Sequence, residues 1–324
     1  MNARQPNAGY KALFMGGLVL LFAVGHVLAC INMHATDLQG NHVIANEGED
    51  RFSRSLLHHD NRERYLRNEK WALEQATKEP TLENRSDYAA CLILVGKYDQ
   101  AVELLQQLET ESPGNYSVAA NLGTAYELLG NNAEALQWIE TGMQRNPSSH
   151  QSSEWLHVEI LKTKLRMAED PQASAVVLDL DFGSGPVPTA PTAESLAQYG
   201  IASLENLRDA VHYQLSERVE FVLPREPIVA HLLFQLADTI ALTSSVEEAI
   251  PVYQRAKEYG CTNSVLEARL QSMDSIRHKN PISGVRSGDG LVAMISVALL
   301  MLIAVVLAIV GSLSFWRYRL RQQA

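Results

Sequence analysis

Three groupings of side chains in this 324-residue chain have residue types that can do chemistry. His58, His59 and Asp60 form the densest polar cluster. Imidazoles and carboxylates bind metals, but adjacent residues do not share a helix face, and no partner ligands follow elsewhere. The cluster reads as a solvated helix start with Asp60 as N-cap. Glu154, His157 and Glu159 sit within one helical stretch. A Glu-x-x-His motif builds a carboxylate metal site only when a second helix carries the same motif, and none does. These side chains are expected to line a groove or face solvent. Asp179, Asp181 and Gly183 resemble the opening of a calcium loop. The fifth position lacks an oxygen ligand and no Glu stands at the twelfth, so the calcium reading fails. Cys30, Cys91 and Cys261 form no C-x-x-C pair, which argues against a zinc ribbon or a thioredoxin-like redox site. Cys91 and Cys261 lie in apolar helical stretches and are expected as ordinary buried thiols. No G-x-S-x-G, HExxH or phosphate-binding glycine loop occurs. The expectation is a chain that is not an enzyme, with no catalytic residue, no metal and no cofactor.

Charge narrows the partners. All 37 acidic residues fall between 31 and 290, while both ends carry only basic side chains. A middle region this acidic does not suit nucleic acid, whose phosphates need clustered Lys and Arg.

The ends address a membrane. Residues 291–313 form an uncharged run of 23, long enough as a helix to span the hydrocarbon core, and Phe315, Trp316 and Tyr318 follow among Arg317, Arg319 and Arg321. A transmembrane helix over 290–316 with a basic tail, 317–324, is expected. Arg4 and Lys11 precede an apolar stretch from Ala12 to Ala29, the layout of a secretory signal. Three readings of 1–30 stay open: a signal cleaved after Ala29, a retained signal-anchor, or a lipoprotein with Cys30 as acceptor. Basic residues stay on the cytoplasmic side, which would place the acidic region outside the cytoplasm. The layout suggests a bacterial inner membrane protein with one or two passes.

The elements that must position any site repeat with a fixed period. Gly96 matches Gly130, Ala101 matches Ala135, and Pro113 matches Pro147, each offset by 34 residues. Tyr88 matches Leu122 and Leu105 matches Ile139 at the same offset. Small residues at 101, 123 and 135 let paired helices approach; Gly96 and Gly130 suit a left-handed helix stop; Pro113 and Pro147 close each unit. This pattern resembles the tetratricopeptide repeat family, most completely over 116–149. A worn copy follows in 231–260, with Leu236, Ala237, Ile240, Ala249, Tyr253 and Ala256 in place if the unit starts at Ala230. Ser244 stands there for the turn glycine and Cys261 for the closing proline.

The resemblance implies an all-α fold: a tetratricopeptide-type superhelix of helical hairpins with a short extended insert, plus the C-terminal transmembrane helix. Boundaries are expected at 31–81 for an N-terminal helical region, 82–170 for repeats and a following helix, 171–192 for a Pro/Gly-rich extended insert, and 193–285 for further helices with the degenerate repeat. In this family the first helix of each pair lines a concave groove that takes peptides or partner proteins. Carried over by alignment, the groove positions are Asn121, Thr124 and Glu127, then Gln235 and Asp238, with Glu154 and Lys162 joining from the long helix. The family's carboxylate clamps use Lys and Arg there; these residues suit an extended peptide of neutral or basic character. The function expected is a membrane-anchored scaffold or adaptor. The alternatives are a periplasmic assembly factor, such as a cytochrome c maturation chaperone, and a non-catalytic subunit of a membrane enzyme complex. An enzymatic role would instead need a pocket with strongly perturbed titratable groups beside the insert.

Overall fold

The computed structural model describes residues 33–45, 52–56 and 61–279. The apolar runs at both ends, Cys30 and the His58–Asp60 cluster lie outside the described residues, and among those described no helix is long and apolar enough to cross a membrane.

Helices dominate. In chain order they are α1 (Arg62–Lys78), α2 (Leu82–Leu94), α3 (Tyr98–Glu111), α4 (Tyr116–Leu128), α5 (Asn132–Arg145), α6 (Glu154–Glu169), α7 (Ala193–Ala197), α8 (Leu204–Arg218), α9 (Pro227–Thr243), α10 (Val246–Glu258) and α11 (Leu266–Lys279). The pairs α2/α3, α4/α5 and α9/α10 are the hairpins expected from the repeat. Their ends follow local chemistry. Thr81 and Asn115 each accept the backbone N–H three residues on, capping α2 and α4. Gly96 (φ 81°) and Gly130 (φ 83°) take the left-handed conformation that stops a first helix. Close approach within the second hairpin needs Gly123, where a Cβ would stand 2.5 Å from Ile139 Cδ1.

Two small apolar clusters hold the repeats, one around Leu92, Leu105 and Leu122, the other around Ile139 and Leu161. A much larger core joins α6, α8, α9, α10 and α11 in the C-terminal half. The insert at 171–192 enters that core. It forms no strand; Leu178, Leu180 and Phe182 point inward while Asp179 and Asp181 stay exposed, a two-residue alternation proper to extended chain. The Asp181 carboxylate accepts the Gly183 N–H at 2.7 Å and shapes a turn.

The N-terminal region departs from the all-helical expectation for 31–81. Strands β1 (Met33–Thr36) and β2 (His42–Ala45) form an antiparallel hairpin. The turn is chemically specified: Asp37 accepts the N–H groups of Gln39 and Asn41, and Gly40 takes φ 83°. The hairpin docks on α10, where Glu247 accepts both the N–H and the hydroxyl of Thr36 at 2.8 Å. Phe52 and Leu56 follow into the large core, and Arg255 donates to the Leu56 carbonyl. Residues early in the chain therefore close onto its C-terminal half before α1 begins the repeat stack.

Candidate functional site

The site forms where α4, α6 and α8 meet. The last turn of α4 carries Glu127 on the face that repeat periodicity directs away from α5. The route from α5 into α6 is abrupt: His150, Gln151 and Ser152 are consecutive non-glycine residues with φ of 47°, 55° and 61°. Left-handed backbone at such residues costs roughly 1–3 kcal/mol each, so surrounding contacts must hold the turn. They are present. Ser153 donates to the His150 carbonyl at 2.6 Å, and Gln214 of α8 donates to the Ser153 hydroxyl at 3.1 Å. The turn sets the His150 ring stacked at 5.6 Å on Tyr213 and bonded to Glu154.

A buried ionic network results. Glu127 binds Arg218 at 2.5 Å, His157 Nε2 at 2.6 Å and Lys164 at 2.6 Å. The other His157 nitrogen lies 3.3 Å from Glu154, so both ring nitrogens face carboxylates and both donate when the ring is protonated. Burial pushes Glu127 up, but Arg218, His157 and Lys164 outweigh it and hold the carboxyl well below the usual carboxylate range. Burial acts on Glu154 in the same way, and His150 and His157 bring it down to about 2. His150 is raised by its bond to Glu154. His157 is lowered by burial and raised further by Glu127 and Glu154, for a net rise. Among the described residues no group of three or more His, Cys, Asp or Glu side chains is arranged to hold a metal.

Beside this network opens a cleft of about 90 Å³. Leu128, Phe221 and Val222 wall it, Thr124, His150 and Glu217 add polar edges, and Glu127, His157 and Arg218 also line it. The buried carboxylates are paired within the network, and the Thr124 hydroxyl donates to the Ala120 carbonyl at 3.1 Å, which leaves the apolar walls and the Thr124 oxygen as an acceptor facing the cleft.

The seven groove residues expected from alignment separate. Thr124 and Glu127 line the cleft, Glu154 supports it from below, and Asn121 is half-buried on the same helix. Glu127 and Glu154 are not open groove side chains: both are buried, Glu127 paired with Arg218 from the end of α8 and Glu154 with His150. Lys162 is exposed and paired with Glu159 at 2.8 Å, away from the cleft. Gln235 and Asp238 are corrections of a stronger kind: both are buried in the core. The insert covers their helix. Gln235 donates to the Leu178 carbonyl at 2.9 Å, and Arg269 ties Asp238 to the carbonyls of Phe182 (2.8 Å) and Gly183 (2.5 Å). Burial pushes the Asp238 carboxyl up to about 6, against the pull of Arg269 and the Tyr253 hydroxyl.

Residues 92–154, from the end of α2 to the start of α6, match the family model for the tetratricopeptide repeat. This segment is a tetratricopeptide repeat. The tetratricopeptide segment thus supplies Thr124, Glu127, Leu128 and His150, four of the ten residues that line the cleft, and the chain outside it supplies the other six. The chain is similar to a tetratricopeptide repeat protein from Parabacteroides merdae at 13% identity, over 65% of this chain and 92% of that one, with a TM-score of 0.30. It is also similar to Naa15/Naa10 bound to HypK-THB at 19% identity and a TM-score of 0.29; the match takes in 72% of this chain and about a third, 35%, of that one. No curated protein matches the chain.

His150, Gln214, Arg218 and Phe221 escaped sequence reasoning. Phe221 follows α8 and falls outside any periodic face, and His150 sits at a repeat junction where the pattern assigns no role. A second cavity, about 280 Å³, does lie beside the insert, lined by Ser174, His231, Cys261 and Asn263 among others. Burial lowers His231 and raises Cys261, so both are held neutral. A thiol nucleophile needs the opposite shift.

Proposed function

We propose that this chain is a non-catalytic tetratricopeptide scaffold that binds a peptide segment of a protein partner, held at a bacterial inner membrane with its repeat domain on the extracytoplasmic side. The cleft between α4 and α8 is the observation that carries the binding part. Its apolar walls are set on a floor fixed by ion pairs, so the recess is pre-organised and ligand binding requires little ordering of the protein. An extended segment lying along α4 would insert one small apolar side chain past Thr124. The exposed Glu217 carboxylate at the edge favours a basic neighbour in that segment. The membrane part rests on the uncharged run at 291–313 with its aromatic and arginine flank, and on the basic, apolar N-terminal stretch.

A photo-crosslinking side chain placed at Thr124 in the full chain, in its native membrane, tests the proposal. One identified envelope protein should be captured from Thr124 and not from Glu103, an exposed position on α3. Equal capture from both positions, or capture of cytoplasmic proteins, sinks it.

A further inference from the structure

Helix α1 stands at the sequence offset of the repeat, but among the described residues no first helix packs against it. Counting back 34 residues from α3 gives 64–77, which is α1 within a residue or two. Helix α1 packs on α2 with Ala72 buried, a face whose equivalents in α3 and α5, such as Gln106 and Glu140, are exposed. The face that a second helix turns to its own first helix is carried by positions 101, 105 and 108 in α3, 135, 139 and 142 in α5, and 249, 253 and 256 in α10. All nine of these residues are buried, and Leu105, Ile139 and Tyr253 are 0%, 1% and 0% exposed. The equivalent residues of α1 are Arg67, Trp71 and Glu74. Trp71 is 61% exposed and the Arg67 side chain 71%. Phe52 and Leu56, which register would assign to the first helix, sit in the C-terminal core.

This face is not built for a repeat helix. Close packing of a hairpin relies on the alanine at 101, 135 and 249, and Arg67 stands in that place. Its pattern suits something else. On a helical projection Leu66 and Leu73, both exposed, form one edge and Trp71 the other. Between them runs a stripe of Glu63, Arg67, Lys70, Glu74 and Lys78, all exposed. This order of charges is complementary to itself when reversed. With two α1 helices antiparallel about a two-fold axis between positions 70 and 71, Arg67 meets Glu74 of the other copy and Glu63 meets Lys78. Trp71 then packs near Lys70 and Trp71 of the other copy, where an ammonium over an indole is favourable. The leucine edges meet on the opposite side.

We propose that the exposed face of α1 is a homodimer interface, with two copies of this chain joined by antiparallel α1 helices around Trp71. An isologous contact of this kind closes on itself and leaves the α4–α8 cleft of each copy free, whatever that cleft takes. A single pair of 17-residue helices is a small interface, so a dissociation constant on the order of micromolar is expected.

Sedimentation velocity on the full chain in detergent, from about 1 to 200 μM, tests this. The wild type should pass from monomer to dimer across the range. Arg67→Glu and Glu74→Arg should each weaken the dimer about tenfold or more, and the double reversal should restore it, because opposite charges then face again. Trp71→Ser should weaken it with an unchanged melting temperature. A monomer at every concentration overturns the proposal. So does a dimer indifferent to Arg67→Glu and Trp71→Ser, or one that the double reversal fails to restore.

Discussion

Replacing Arg269 with methionine should unfold much of the C-terminal half's advantage over the denatured chain. Arg269 and Asp238 are both fully buried and paired, and the guanidinium also holds the carbonyls of Phe182 and Gly183. Methionine keeps an apolar stem of similar reach near Phe234, over whose ring the guanidinium carbon sits at 5.1 Å. The loss is then mainly ionic and polar. Removing one member of a buried pair costs about 3–5 kcal/mol, because the partner is left either charged and desolvated or forced to take up a proton. The buried bond to Phe182 adds about 1 kcal/mol. The sum, about 4–6 kcal/mol, is a large part of the roughly 5–15 kcal/mol that holds a domain together. Urea unfolding followed by far-ultraviolet circular dichroism at pH 7.5, above the value of about 6 that Asp238 has with Arg269 in place, measures it. Arg269→Met with Asp238→Leu should cost less than the two single changes together, by at least about 2 kcal/mol. A single-variant loss under about 1 kcal/mol, or strict additivity, refutes the view that this pair pins the insert to the core.

Two further outcomes follow from the cleft and the hairpins. His150 and His157 are raised, so their contribution is complete below their ordinary value of 6.5 and lost as pH rises through the raised values. Glu154, lowered to about 2, contributes fully above its ordinary 4.5 and loses that contribution as pH falls. Urea midpoints should therefore drop from pH 6 to pH 8.5, and less steeply in His150→Gln; equal slopes for the two proteins would contradict the network's role. Gly123→Ala should lower the melting temperature, since its Cβ would meet Ile139 at 2.5 Å and such overpacking costs about 1–3 kcal/mol. A rise, as helix propensity alone would give, would mean that α4 and α5 can separate freely.

Much of the helical order was legible because its signals are local. The 34-residue offset, Gly96 and Gly130 at helix stops, and Pro113 and Pro147 closing each unit placed α2 to α5 within a few residues, and the worn copy fell on α9 and α10. Ser244 and Ser245 replaced the glycine stop there without loss of the hairpin, because Ser245 caps α10 by accepting the Glu248 N–H. The hairpin at 33–45 was missed although its turn chemistry was present, since two four-residue strands give too little alternation to stand out. Register alone singled out Thr124, which lines the cleft between α4 and α8.

What surrounds those faces was decided only by tertiary structure. Periodicity tells which side of a helix is apolar or concave, not what will cover it. Glu127 is met by Arg218 from 91 residues away, and Gln235 by Leu178 from 57. The same pattern that marks Leu105, Ile139 and Tyr253 as buried marks Trp71, which is bare. Each outcome depends on which distant segment reaches the face first and holds it with the better contacts, and those are long-range terms that no local spacing encodes.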